Sequence, residues 1–357
     1  MAKLWLQNLT ATLQRSKPVI KETPLNPFIK VLTLEENVLS LSRLQPHQEL
    51  SIFDVPINYQ GKQFLHTIKC ASQHENSENL VLIHGYSGSS ALFYPIIKDL
   101  SARFNVYCVD LLGMGLSSRP NFPCKSTQET INYFIDSLEE WRKALNLERI
   151  FLGGHSLGGY LTTFYALKYP SVLDGLYLFS PTGLSTGKKE QELRQWGPKM
   201  TRGQIIFWSL YFDGYSTLIW KDKLTPMELI RNNPGLGKFV IRTYMSALYG
   251  NKRYQAGIVS DFLFEMLSLE GGSEQAIHYL LRPPYMDAHV PLESALMRTL
   301  SLPIHCFYGE QDWVDWTGAH QISQDVGMNH FKFHWIPHAG HQIIIQNPKG
   351  LTHAILH

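Results

Sequence analysis

Nowhere along the chain do eighteen uncharged apolar residues follow one another, so no stretch reads as a membrane-spanning helix. Cysteine is scarce. Cys70, Cys108, Cys124 and Cys306 lie far apart and form no CxxC pair. That argues against a disulfide framework and a zinc site and points to a reducing, intracellular compartment. Cys108 and Cys306 fall inside apparent strands, where a buried free thiol is ordinary. Neither charge dominates: 32 Lys and Arg against 30 Asp and Glu leave +2, which gives no reason to expect a nucleic-acid partner. Walker A, the dinucleotide fingerprint and HExxH are all missing. Gly113-Met-Gly-Leu116 lacks the remaining glycine of a phosphate loop and reads as a turn after a strand, so no metal or cofactor is implied. The apolar core of a secretory signal is also missing. Residues 1–21 instead carry Lys3, Arg15, Lys17 and Lys21, with no acid before Glu22. Ala2, Trp5, Leu6, Leu9 and Leu13 fall at helical spacing, which leaves three readings open: a mitochondrial targeting sequence, an interfacial membrane helix, or a terminal helix docked on the core.

What is present is globular in character. At 357 residues, 44% hydrophobic and 17% charged, the chain can bury one large core, or one core plus an inserted module. Two alternating runs between Glu49 and Ser72 flank Gln60-Gly61-Lys62 and predict a β-hairpin. Buried strands follow at Leu80–Ile83, Asn105–Asp110, Ile150–Leu152 and Leu173–Phe179. Helices are expected at Leu92–Leu100, Thr127–Leu145 and Leu161–Lys168. Strands alternating with helices predict an α/β fold with a mostly parallel sheet and an antiparallel start. From Lys188 to about Leu300 the pattern is helical and aromatic, without a clear strand, and reads as a cap inserted into the core. The apolar run Gln204–Phe212 within it either lines an acyl tunnel, touches lipid, or packs cap against core. Strands at Ile304–Gly309 and Phe331–Ile336, a helix near Gly318–Val326 and a short C-terminal helix complete the core. The expected divisions are an extension at 1–47, core at 48–187, helical cap at 188–300 and core at 301–357.

One stretch organises the rest. Gly154-His-Ser156-Leu-Gly158 sits between a buried strand and a helix, the setting of a nucleophile elbow. A serine hydroxyl is a poor nucleophile at neutral pH and needs an adjacent base, oriented in turn by an acid. In this fold the chain order is serine, acid, histidine. Asp312 lies in the loop after the strand ending at Gly309, where sites in open α/β sheets lie; Asp315 is the second choice. No carboxylate follows the strand ending at Phe179. Among the 15 histidines His341 is the base candidate, in a loop after the last strand. His338 competes with it, His334 lies within the strand as a structural residue, His84 shapes its loop, and His155 packs. The oxyanion hole needs two backbone N–H groups. Leu157, just after the serine, supplies one, and Tyr86, in the loop after the Leu80 strand, supplies the other.

Taken in order, Leu82-Ile-His-Gly85, Asp110-Leu-Leu-Gly-Met-Gly-Leu-Ser-Ser-Arg-Pro120, Gly154-His-Ser-Leu-Gly-Gly159, Tyr308-Gly-Glu-Gln-Asp312-Trp313 and Ala339-Gly-His341 resemble the α/β-hydrolase family across residues 79–346. Ser137-Leu-Glu-Glu-Trp-Arg142, Leu167-Lys-Tyr-Pro170 and Ser117-Ser-Arg-Pro120 further resemble its lipid-handling branch, which holds the abhydrolase-domain proteins four and five. The resemblance implies a carboxylic ester hydrolase acting on lipids, notably phospholipids or lysophospholipids, met at a peripheral membrane or lipid surface. Two departures bear on this. The coactivator members carry Asn where this chain keeps Ser156. The His-x4-Asp pattern credited with lysophosphatidic acid acyltransfer is broken here, His341 being followed by Gln346. Ser180-Pro-Thr-Gly183 also differs from the usual sequence beside the acyl pocket. Against the hydrolase stand three alternatives: a catalytically silent lipid-binding or scaffold protein on the same fold, a lysophospholipid acyltransferase, and a small-ester esterase or thioesterase.

Overall fold

In the computed structural model the described residues are 27–184, 224–282, 287–292, 297–325 and 327–357. The N-terminal segment 1–21, the Gln204–Phe212 run and Val326 lie outside them.

Apolar residues in unbroken runs demand cover on both faces, and the sheet provides it. Its strands are β1 (Leu50–Asn58), β2 (Lys62–Cys70), β3 (Glu78–Ile83), β4 (Phe104–Val109), β5 (Ile150–His155), β6 (Leu173–Phe179), β9 (Ile304–Gly309) and β10 (Phe331–Ile336). Between β6 and β9 a separate small hairpin pairs β7 (Leu281–Arg282) with β8 (Asp287–Ala288). In the large sheet the order is β1-β2-β4-β3-β5-β6-β9-β10. β1 pairs antiparallel with β2, and β2 antiparallel with β4; every later pairing is parallel.

Successive residues of β3 point to opposite sides. Val81 and Ile83 join a core with Ile131, Phe134 and Trp141 of the Thr127–Ala144 helix and Leu161 and Tyr165 of the Leu157–Lys168 helix. Leu80 and Leu82 join the other core, with Ile96 and Ile97 of the Tyr94–Leu100 helix and Leu351 and Ile355 of the Pro348–Leu356 helix. The sheet is thus a wall between two apolar layers, and its functional groups are left to the strand ends.

Between β6 and β9 the described residues form helices at Pro226–Asn232, Pro234–Tyr249 and Arg253–Ser268. Thr225 starts the first with a reciprocal capping box to Glu228. Two adjustments to the expected elements have physical reasons. β5 runs on through Gly153 and Gly154 because both pair with β3 on one side and β6 on the other, which overrides glycine's weak strand preference. The next helix starts at Leu157, four residues before the apolar periodicity announces it. A helix at Pro27–Ser40, which the sequence pattern did not reveal, docks its Val31, Val38 and Leu39 into the core. The short β7–β8 ladder lies within the stretch where no strand was expected. Among the described residues no helix is long and apolar enough to cross a membrane.

Candidate active site

Ser156 terminates β5 with φ 54° and ψ −116°, a left-handed backbone that an L-residue adopts only when its surroundings enforce it. Here they do. The Ser156 N–H donates to Phe179 O at 2.9 Å, while its carbonyl accepts from Tyr160 N at 3.1 Å and Thr182 N at 3.2 Å. A side chain at Gly158 would put Cβ 2.4 Å from Ile83 O, so only glycine lets the helix start pass beneath the serine. The sequence folds into an elbow because strand, glycine and helix leave the chain no other way through.

The structure brings Ser156, His341 and Asp312 together. His341 Nε2 lies 3.0 Å from Ser156 Oγ, and His341 Nδ1 lies 3.1 Å from Asp312 Oδ1. Asp312 and His341 are both buried. A carboxylate can only accept, so Nδ1 carries the proton and Nε2 presents its lone pair to the serine hydroxyl. Asp312 is fixed by the Val314 N–H, which donates to Oδ1 at 2.9 Å. Asp315, the alternative acid, is instead engaged by Thr317, whose N–H and hydroxyl donate to its Oδ1 at 2.9 and 2.6 Å. His338 is exposed and donates its backbone N–H to Glu310 Oε2 at 3.0 Å. His334 sits in β10 against His305, 3.1 Å away.

Leu157 is the first residue of its helix, so its N–H has no carbonyl a turn earlier to bond, and it faces the serine end of that helix. The Gly85–Tyr86 loop comes up against Ser156 from β3: a Cβ at Gly85 would lie 3.1 Å from Ser156 Cβ. Tyr86 is pinned from its far end, its hydroxyl donating to Glu274 O at 2.8 Å. Behind the loop stands His84. Leu111 N–H donates to its Nε2 at 3.1 Å, so Nδ1–H donates to Gly85 O at 2.7 Å. Burial lowers the His84 pKa and keeps the ring neutral, as that bonding requires. Asp110 organises the adjoining turn by accepting from Ser90 N at 2.5 Å and Leu116 N at 2.7 Å.

Three features of the site escaped the sequence reading. His155 does more than pack: its Nε2 lies 2.9 Å from His341 O. Gln346 Oε1 accepts from Gly340 N at 2.9 Å. Glu310 steadies the turn that bears His338. All three are side chains acting on backbone atoms, which leave no signature of residue type or spacing.

Comparison with known proteins fits this picture. Residues 78–207 match the family described as alpha/beta hydrolase fold. A rice protein named a probable 1-acylglycerol-3-phosphate O-acyltransferase is 31% identical over 83% of this chain and 70% of its own length. The human protein named 1-acylglycerol-3-phosphate O-acyltransferase ABHD5 is 39% identical over 40% of this chain and 43% of its own. Among solved structures, carboxylesterase CesB from Bacillus subtilis superposes with a TM-score of 0.63, covering 93% of this chain and 98% of CesB at 17% identity. From the elbow, the sheet order and these relatives it follows that the chain belongs to the alpha/beta-hydrolase family, in the branch that holds the ABHD5-like proteins.

Proposed function

We propose that the protein is a serine hydrolase that cleaves the acyl ester of a phospholipid or lysophospholipid. The observation that carries this reading is the unbroken Ser156–His341–Asp312 chain, with both links at hydrogen-bond length. A catalytically silent scaffold has no need of a closed relay around a strained serine.

In the reaction Ser156 Oγ attacks the ester carbonyl while His341 Nε2 takes its proton, and Asp312 steadies the resulting imidazolium. The N–H groups of Tyr86 and Leu157 receive the developing oxyanion, a contribution of about 3–4 kcal/mol per donor in comparable sites. Collapse of the tetrahedral adduct breaks the bond to the leaving alcohol, which takes the proton from His341. A water, deprotonated by the same histidine, then releases the fatty acid and restores Ser156.

The relatives' names support a second reading, in which the hydroxyl of an acylglycerol phosphate replaces water as acceptor. The acyl-enzyme is common to both, so the acceptor is decided by which product appears. Ser156→Ala, incubated with lysophospholipid and phospholipid vesicles, is expected to release no fatty acid and transfer none, while melting at the temperature of the wild type. Turnover near the wild-type rate would remove Ser156 from the mechanism.

A further inference from the structure

A relay with 3 Å links works only if the base stays where it is, and His341 sits in a loop rather than on a strand or helix. Its main chain is gripped from two sides. Ahead of it, the Gly340 N–H donates to Gln346 Oε1 at 2.9 Å. Behind it, the His341 carbonyl accepts from His155 Nε2 at 2.9 Å. A carbonyl cannot donate, so His155 must carry its proton on Nε2. Its Nδ1 then faces the Gly85 loop, where a Cβ on Gly85 would come within 3.2 Å. The same ring lies 4.9 Å from the His341 ring, centre to centre. His155 therefore touches the elbow, the oxyanion loop and the base at once.

We propose that His155 and Gln346 form a main-chain clamp that positions His341 against Ser156, with His155 also setting the spacing of the Gly85–Tyr86 loop. Neither touches the reacting atoms; both act through the base. The role also constrains the charge of His155. As His341 becomes an imidazolium during attack, a second cation in the neighbouring ring would oppose it. Burial and the His341 charge depress the His155 pKa to about 3, so the ring is neutral when the base is not.

The clamp rests on the serine-hydrolase reading, and the test separates the two. Purified full-length protein is labelled with a fluorophosphonate, and rates are measured over a range of probe concentrations for wild type, His155→Phe, His155→Gln and Gln346→Ala. His155→Phe keeps a ring and loses the donor. Its maximal labelling rate is expected to fall about 10- to 100-fold, the effect of a base displaced by about an ångström. The concentration for half-maximal rate stays where it was. His155→Gln, which retains an N–H, labels close to the wild-type rate. Gln346 is exposed. Gln346→Ala therefore folds normally and shows a smaller loss, also confined to the maximal rate. A wild type that labels, paired with a His155→Phe that labels as fast, overturns the clamp alone. So does a His155→Gln as slow as His155→Phe, because ring shape and not the N–H would then be responsible. A wild type that does not label overturns the hydrolase reading, and the clamp as a positioning device with it.

Discussion

At Asp312 one carboxylate oxygen accepts from both the His341 ring and the Val314 amide. Asp312→Asn keeps the size of the side chain but can turn an N–H toward His341, forcing the imidazole into the tautomer that cannot take a proton from serine. The expected loss of turnover is about 10⁴-fold, with the thermal melt almost unmoved. A loss below tenfold in ester hydrolysis would show that another acid orients the base. At this scale the sequence was informative where chemistry demands particular residue types. Serine, acid and base had to follow in order, each in a loop after a strand, and His341 lies within hydrogen-bond reach of both Ser156 and Asp312. His155 and Gln346 could not be found that way, because any residue carrying a donor or acceptor at the right height would serve.

Between elements, the sharpest contact is a buried charge cluster. The Pro27–Ser40 helix carries Glu35 against His66 of β2, Oε2 to Nε2 at 3.0 Å, while Asp54 of β1 meets the other ring nitrogen at 2.8 Å. Both partners of the inner pair are almost fully buried. The two carboxylates hold the His66 pKa well above its ordinary value, against the burial that would lower it. Removing one member of such a pair leaves the other uncompensated, which costs about 3–5 kcal/mol, whereas replacing both with apolar side chains is often close to neutral. His66→Leu is therefore expected to lower the urea midpoint strongly, and His66→Leu with Glu35→Leu to recover much of that loss. An additive double variant would mean the pair is not coupled. The helix itself was hidden in the sequence for a physical reason. It has no acid in its first turn and no base in its last, its buried stripe includes a glutamate, and Ile29 and Leu32 face outward. The apolar periodicity that betrays a helix is blurred on both faces. The parallel strands were plain because burial on two sides writes them as unbroken apolar runs.

For the whole molecule, buried histidines set how the fold responds to acid. His155 and His84 both have pKa values lowered in the folded state, chiefly by burial, His155 to about 3 against 6.5. Between those values the unfolded chain binds more protons than the native one. The contribution of His155 is therefore complete above pH 6.5 and is lost as pH falls through that window, at up to about 1.4 kcal/mol per pH unit, and His84 acts in the same direction. His66 has the opposite sign. Its raised pKa contributes stability below 6.5 that is lost as pH rises through the folded value. The melting temperature is expected to drop between pH 6.5 and 4, and His155→Gln to flatten that slope. An unchanged slope would mean that His155 is charged in the native state. Topology has one more consequence. Ser156 and His341 are separated by 185 residues, with β6, β9 and β10 of the sheet between them. At the roughly 5–20 residues per second of synthesis, a ribosome leaves the serine behind about 10–40 seconds before the base is made. A nascent chain can shape the elbow early, yet Ser156 has no imidazole beside it until residue 341 has emerged.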